Sequence, residues 1–306
     1  MVGVYNNKHN YAMLYVPKAA CCVVRKTYVD THLCEFNQDQ ISLFEGKLFH
    51  RLSSLHNLNN VTTQQLNDIK KYIVVRDPYT RTLSAYYDKF LYLRNNASWK
   101  TLKFVNLFHL FNLTNDIELL KVVTENDIHE KELPFDVFLK EVAPSYIKKA
   151  YIKNDSFLEY LKFIQLCNTH NIKSFDEHHN SQNARTNVSL QGVDVNKNTL
   201  IVHLENFQEE IFKAYEYVLP SELYEKATTA FLQNCGDKNT RNSTASKTYT
   251  SNLKSYNFTK NEIVKILNVS KALPCFQSMI CSQTEQLIYD IYRDDFETFT
   301  YKRIVL

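Results

Sequence analysis

One stretch decides the fold of this 306-residue chain: residues 72–90, YIVVRDPYTRTLSAYYDKF. Ile73, Val74 and Val75 form the short β-branched run that is typical of a buried parallel strand. Asp77 as N-cap and Pro78 at the first helical position then predict the start of a helix. Apolar side chains follow at helical spacing, at Leu83, Tyr86, Tyr87, Phe90 and Leu93. The stretch therefore predicts a strand-to-helix connection with Arg76 at the carboxyl end of the strand.

Arg76 and Ser84 are the candidate phosphate ligands of this stretch. A guanidinium can bind two phosphate oxygens at once, and a serine about two turns into the helix adds a hydroxyl on the same face. For the isolated tripeptide, an ion pair of Arg76 with Asp77 or Asp88 at the surface is the better explanation. When the whole strand-to-helix segment is considered, a phosphate-binding role for Arg76 is favoured over a surface ion pair.

A second strand-to-helix connection lies near the amino terminus. Residues 11–16, YAMLYV, read as a strand, and a helix is predicted from about residue 21. Backbone N–H groups at a helix start favour an anion, and Lys18 adds a full positive charge beside them. The connection contains no glycine, so it is not the glycine-rich loop of ATP and GTP hydrolases. Its residues are Pro17, Lys18, Ala19, Ala20, Cys21 and Cys22.

These two motifs resemble the nucleotide motifs of sulfotransferases that use 3′-phosphoadenosine-5′-phosphosulfate (PAPS), most closely the carbohydrate sulfotransferases of the chondroitin/HNK-1 type. The resemblance implies that residues 17–22 hold the 5′-phosphosulfate end of PAPS, with Lys18 at the leaving phosphate. It also implies that Arg76 and Ser84 hold the 3′-phosphate, and that 3′-phosphoadenosine 5′-phosphate (PAP) is the product.

Further segments resemble the same family and follow its order along the chain. They are residues 51–54, 134–138, 176–182, 204–207 and 291–301. Residues 242–249, which include Ser243 and Lys247, resemble a late loop that closes over the cofactor; as a bare pattern they read equally well as a solvated loop.

Sulfuryl transfer to a hydroxyl needs charge stabilisation at the leaving oxygen and a base for the hydroxyl proton. Lys18 is the candidate for the first role, which requires no metal ion. Histidine suits the second role because its pKa lies near working pH. His50 is the preferred base, followed closely by His178, with His56 as a further candidate; a satisfied structural histidine remains the alternative for each.

The composition predicts one folded domain over residues 1–306. The pattern of strands and helices predicts an α/β fold with a mostly parallel central sheet flanked by helices. The resemblance implies that this is the three-layer, P-loop-like sulfotransferase fold. Its predicted strands are residues 11–16, 71–75 and 200–204, and its predicted helices include residues 79–93, 207–218 and 283–299. The formal net charge of +3 is too small to indicate a nucleic-acid partner. The seven cysteines lack metal-type spacing, so no metal site is predicted, and Cys21 and Cys22 are interpreted as packing residues.

A carbohydrate is the acceptor that the resemblance implies. The alternatives are a hydroxyl on a non-carbohydrate small molecule, a nucleotide-binding protein that has lost catalysis, and a small-molecule kinase. Changes from the family pattern at Cys22, His179 and Ser181 permit the loss of catalysis. No apolar segment long enough for a membrane anchor is visible, which favours a cytoplasmic protein; a trimmed catalytic domain from the Golgi lumen is the alternative.

Overall fold

A computed structural model describes most of the predicted sheet and the helices around it. The described residues are 3–36, 58, 61–91, 107–108, 110–111, 114–118, 120–121, 156–170, 172, 182, 194–236, 248–249, 255–259, 262–265 and 273–306. The chain divides into two compact units. The first comprises Met1–Asp77, Ser181–Thr244 and Glu297–Tyr301, and the second comprises Pro78–Asn180, Ala245–Phe296 and Lys302–Leu306.

Groups of helices follow the strands along the described chain. The strands are β1 (Gly3–Asn6), β2 (Tyr11–Tyr15), β3 (Lys70–Val75), β4 (Thr199–His203), β5 (Thr248–Tyr249) and β6 (Leu273–Pro274). The helices are α1 (Cys21–Thr31), α2 (Thr63–Asp68), α3 (Pro78–Ala85), α4 (Phe157–Thr169), α5 (Phe207–Val218), α6 (Ser221–Gly236), α7 (Phe276–Met279), α8 (Ser282–Ile291) and α9 (Arg293–Thr298). Single turns of 3₁₀-helix span Leu33–Glu35, Leu204–Asn206 and Ser255–Asn257.

The first unit is built on a four-stranded sheet in the order β1-β2-β3-β4. Strands β2, β3 and β4 are parallel, whereas β1 is an antiparallel edge strand on β2. The three strands predicted from the sequence are confirmed to within one residue at each end. Strand β1 was not predicted.

Alternating side chains of the sheet enter two cores. Tyr11, Met13 and Tyr72 pack on one face, together with buried side chains of α1, α5 and α6. Ala12 and Ile73 pack on the opposite face, which is covered by Leu58, Leu66, Ile69, Val195 and Phe299. The sheet is thus buried on both sides, as its β-branched and aromatic run indicated, and the predicted α/β class is confirmed.

The second unit is rich in aromatic contacts. The ring of Tyr86 lies 5.0 Å from that of Phe157 and 5.1 Å from that of Tyr160, centroid to centroid. Phe90 and Phe108 meet edge-on at 5.0 Å. The high tyrosine and phenylalanine content of this part of the chain therefore serves packing.

Two predicted helices differ from the observed ones. The helix predicted over residues 79–93 begins at Pro78, is α-helical only to Ala85, and continues as a π-helix over Tyr86–Leu91. The helix predicted over residues 283–299 is interrupted at Tyr292, whose φ of −120° and ψ of 27° end α8 before α9 begins. The apolar spacing of the sequence continues through Tyr292 and therefore did not predict this break. Tyr292 is fully buried, so we attribute the break to packing around its side chain.

The prediction of a single domain over residues 1–306 stays a prediction. The segments at residues 51–54 and 134–138 lie outside the described residues. Among the helices that are described, none is long and apolar enough to cross a bilayer.

Candidate functional site

The connection after β2 takes an unusual backbone conformation. Lys18 has a φ of 69° and Ala20 a φ of 53°, so two residues with side chains occupy the left-handed region. Each costs about 1–2 kcal/mol relative to an ordinary conformation. The backbone N–H of Ala19, which is fully buried, donates to the carbonyl of Val16 at 3.2 Å and closes the turn. Glycine is the usual residue in such a turn, but this chain forms it without glycine. Backbone strain of this kind is concentrated at functional sites.

Helix α1 starts directly from this turn. Its N-cap is Ala20, no side chain caps it, and its first turn carries no acidic residue. The first N–H groups of a helix have no partner within the helix, and the positive end of the helix dipole lies there. The start of α1 is therefore suited to an anion.

Replacing Ala20 with glycine is expected to raise the free energy of unfolding by about 0.5–1 kcal/mol, because glycine adopts the left-handed conformation without a steric penalty. The matched control is Ala19→Gly, since Ala19 is buried and has no positive φ. That change is expected to lower the free energy by about 0.5–1 kcal/mol. Urea unfolding followed by circular dichroism measures both. Equal destabilisation by the two changes would show that the left-handed backbone at residue 20 carries no strain.

Arg76 lies one residue beyond β3, at the edge of the sheet where β2 also ends. Strands β2 and β3 are parallel and pair Tyr15 with Val74, so their carboxyl ends lie side by side. Nη1 of Arg76 donates to the backbone carbonyl of Lys18 at 3.2 Å. The two motifs identified from the sequence, 58 residues apart, therefore meet at the carboxyl edge of the sheet, where ligands bind in open α/β sheets.

Gln182 fixes the backbone of Arg76. Its Oε1 accepts from the Arg76 backbone N–H at 2.8 Å, and its Nε2 donates to the Arg76 carbonyl at 2.6 Å. Gln182 is fully buried and lies 106 residues from Arg76 in sequence. The sequence placed Gln182 at the end of the family-like segment 176–182 but gave no signal for this role, which depends on a contact between distant segments.

Replacing Gln182 with alanine is expected to lower the free energy of unfolding by about 2–3 kcal/mol, because two hydrogen bonds are lost and two backbone groups of Arg76 lose their partner. Gln64→Ala is the matched control, since Gln64 is an exposed helical glutamine whose side chain donates to the carboxylate of Asp68 at 2.7 Å. Its effect is expected to stay within about 0.5 kcal/mol. Chemical unfolding measures both, and similar small effects would contradict the assigned role of Gln182.

Glu205 and Tyr301 hold the residue after Arg76. The backbone N–H of Asp77 donates to Oε1 of Glu205 at 2.9 Å, and the Tyr301 hydroxyl donates to Oε2 of the same carboxylate at 3.1 Å. Burial, together with the negative charge of Glu205, raises the pKa of Tyr301 far above its usual value, so its hydroxyl remains a donor. Both carboxylate oxygens of Glu205 thus accept hydrogen bonds from donors within the protein.

His203 ends β4 and pairs with Val75 of β3, so it is the histidine that the described residues bring nearest to Arg76 along the sheet. Sequence analysis did not single it out. Its Nδ1 lies 3.0 Å from Oε2 of Glu210, and its Nε2 lies 3.2 Å from the carbonyl of Phe299. Because both ring nitrogens bind acceptors, His203 has a structural role here and is not a candidate for the base.

Cys21 and Cys22 begin α1. The hydrogen bond to Cys22 and burial raise the pKa of the Cys21 thiol well above its usual value, against the lowering effect of Arg25 and Lys18. A thiol with a raised pKa is a poor nucleophile. This agrees with the interpretation of the pair as packing residues.

The structure thus brings together in the first unit the loop residues and Arg76 from the predicted site. The loop residues are Pro17, Lys18, Ala19, Ala20, Cys21 and Cys22. Ser84 lies on α3 of the second unit, where it is partly buried. The candidate bases His50, His56 and His178 and the late-loop residues Ser243 and Lys247 lie outside the described residues.

A lysine-bearing helix start after one parallel strand and an arginine after the next define an α/β protein whose carboxyl sheet edge is suited to a phosphorylated ligand. Residues 4–302 match the sequence model of the sulfotransferase family. The chain therefore belongs to the sulfotransferases, transferases that in general take the sulfuryl group from PAPS. No curated protein and no solved structure matches the chain.

Proposed function

We propose that this sulfotransferase moves the sulfuryl group of PAPS to a hydroxyl of a carbohydrate and releases PAP. The observation that carries the proposal is the 3.2 Å hydrogen bond from Arg76 to the Lys18 carbonyl. It joins the residues assigned to the two phosphate ends of one nucleotide. The carbohydrate acceptor rests on the resemblance of the motifs to the chondroitin/HNK-1 type.

The described residues of the first unit fit a nucleotide that carries negative charge at two places. Lys18 and the start of α1 supply a cation and a helix N-terminus, and Arg76 supplies a second cation. A guanidinium has five N–H donors in a planar fork and can bind two phosphate oxygens at once. The nearby carboxylate of Glu205 accepts from Asp77 and Tyr301, which limits its repulsion of an anionic ligand.

PAPS supplies the activated sulfuryl group, and the protein positions it and stabilises charge. Lys18 neutralises the negative charge that grows on the leaving phosphate, a contribution worth about 2.7–4 kcal/mol for comparable groups. Arg76 holds the 3′-phosphate, and the family resemblance assigns Ser84 to the same group. Gln182 fixes the Arg76 backbone through two hydrogen bonds. The Arg76 side chain therefore extends toward the phosphate from a fixed point of the backbone.

The acceptor hydroxyl gives its proton to a histidine base, for which His50 is preferred and His178 follows closely. His178 precedes Gln182 by four residues in the sequence, and Gln182 binds Arg76; this sequence proximity supports His178 as the second candidate. Ser243 and Lys247 close over the cofactor in the same proposal. We also propose a cytoplasmic location, with the Golgi lumen as the alternative.

A transfer assay with radiolabelled PAPS tests the function on the purified chain. The acceptor panel contains chondroitin, neutral oligosaccharides, a phenol and an aliphatic alcohol, and PAP release is followed in parallel. Label on a carbohydrate with matching PAP release is the expected result. Label only on the phenol or the alcohol would show that the acceptor is a non-carbohydrate small molecule. Binding of PAP without any transfer would favour a non-catalytic nucleotide-binding protein, and tighter binding of ATP than of PAP would revive a kinase.

A further inference from the structure

A second cluster of chemistry-bearing side chains lies at the opposite end of the sheet from Lys18. His9 belongs to the turn between β1 and β2, and His32 and Glu35 follow the end of α1. Tyr11, the first residue of β2, contacts this cluster, whereas Lys18 follows the last residue of the same strand. The cluster therefore lies outside the candidate nucleotide site.

The three side chains present ligand atoms at a spacing suited to a metal ion. His9 Nε2 and His32 Nδ1 each lie 3.1 Å from Oε1 of Glu35, and the three atoms all lie within 4.8 Å of one another. In tetrahedral zinc coordination, metal–ligand distances of about 2.0–2.2 Å place neighbouring ligand atoms about 3.4 Å apart. The observed separations from Glu35 are close to that edge length.

We propose that His9, His32 and Glu35 bind one divalent transition-metal ion, with zinc the best match, and that the ion links the β1–β2 turn to the end of α1. Two imidazoles and one carboxylate are a ligand set that zinc accepts, and water would complete a tetrahedral shell. The site is structural, since it lies away from Lys18 and Arg76. It is independent of the proposed nucleotide chemistry.

Buried groups around the cluster orient the ligands. The Tyr11 hydroxyl binds Nε2 of His32, which turns Nδ1 toward Glu35. The Asn6 amide donates to Oε2 of Glu35 at 3.1 Å and leaves Oε1 facing the two histidines. His32 is fully buried and Asn6 nearly so. Metal-bound histidines usually have such a partner on the second ring nitrogen.

Three features compete with a metal ion at this place. The same three side chains hydrogen-bond directly to one another, and Lys8 Nζ lies 3.7 Å from Oε1 of Glu35. The Asn6 amide nitrogen also lies 3.2 Å from Nδ1 of His32, so it must turn fully toward Glu35 when an ion binds. The Lys8 side chain is 69% exposed, so water screens its charge and it can turn away. The cysteine spacing of the sequence predicted no metal site. The two histidines and Glu35 are brought together only by the hairpin and α1.

Cobalt titration of the chelator-treated full-length chain tests the site. The expected result is one Co²⁺ per chain, with the visible absorption bands of a tetrahedral ion, displaced by Zn²⁺. His9→Ala is expected to abolish these bands, and Tyr11→Phe to weaken binding about 10–100-fold, as for partners of metal-bound histidines. His9 lies in the turn between β1 and β2 and is not among the side chains of the two sheet cores, so its replacement should leave those cores intact.

His170→Ala is the matched control, since His170 lies at the end of α4 in the second unit and should not affect cobalt binding. Circular dichroism verifies that each variant is folded. Absence of saturable binding in the parent chain would overturn the proposal. Unchanged binding in His9→Ala, or a thiolate-to-cobalt charge-transfer band, would also overturn it, because the ion would then be held by other residues.

Discussion

Replacing Arg76 with alanine is expected to abolish the selective stabilisation of the protein by PAP. In the parent chain, PAP at 100 times its dissociation constant should raise the free energy of unfolding by about 2.7 kcal/mol. Two hydrogen bonds from a guanidinium to a phosphate contribute about 1.5–3 kcal/mol each. Their loss lowers affinity by about two to three orders of magnitude or more, so the same PAP concentration no longer saturates the variant.

Thermal shift with PAP, ADP and ATP measures this effect as the difference with and without ligand, which removes any change in the stability of the free variant. Arg76→Lys keeps the charge but not the planar fork, and should retain only part of the shift. Arg293→Ala is the matched control, because Arg293 is 57% exposed and pairs with Asp290 at 3.4 Å. A full PAP shift in Arg76→Ala would remove this residue from the nucleotide site.

Replacing Lys18 with methionine is expected to lower the turnover number of sulfuryl transfer by about 10²–10³. Methionine keeps an unbranched side chain but removes the charge that stabilises the leaving phosphate in the transition state. Both residues meet the same steric cost at a φ of 69°, so the backbone effect cancels. The loss should therefore appear mainly in kcat, with a smaller change in KM for PAPS.

Steady-state kinetics at saturating acceptor measures the two constants. Lys18→Arg, which keeps a positive charge, should recover part of kcat. Lys197→Met is the matched control, since the Lys197 side chain is 48% exposed and pairs with Asp68 at 2.7 Å on the surface. A higher KM for PAPS with kcat unchanged would show that Lys18 contributes binding alone and not transition-state stabilisation.

Local patterns were sufficient to predict the elements on which the site is built. The β-branched run before Arg76 predicted β3, and the apolar spacing of residues 207–218 predicted α5 with both ends correct. Asp77-Pro78 predicted a helix start, and α3 begins at Pro78. These signals work because strand burial and helix initiation depend on neighbouring residues.

Several structural features could not be predicted from the sequence, because the residues that cause them lie far apart along the chain. Strand β1 forms only by pairing with β2 at the sheet edge. The change from α- to π-helix at Tyr86 occurs where that ring packs on Phe157 and Tyr160 of α4. The break at Tyr292 likewise lies in the buried core of the second unit.

The sequence by itself determined that Lys18 and Arg76 each follow a strand of a mostly parallel sheet, because a strand and a helix start flank each residue. The tertiary structure decided that these two strands are direct neighbours. Only the tertiary structure decided that the Arg76 guanidinium reaches the Lys18 carbonyl and that Gln182 clamps the Arg76 backbone. It also decided that Lys18 and Ala20 hold left-handed backbones without glycine. Burial and hydrogen bonds from distant segments offset the local cost of these conformations, and no local pattern encodes such compensation.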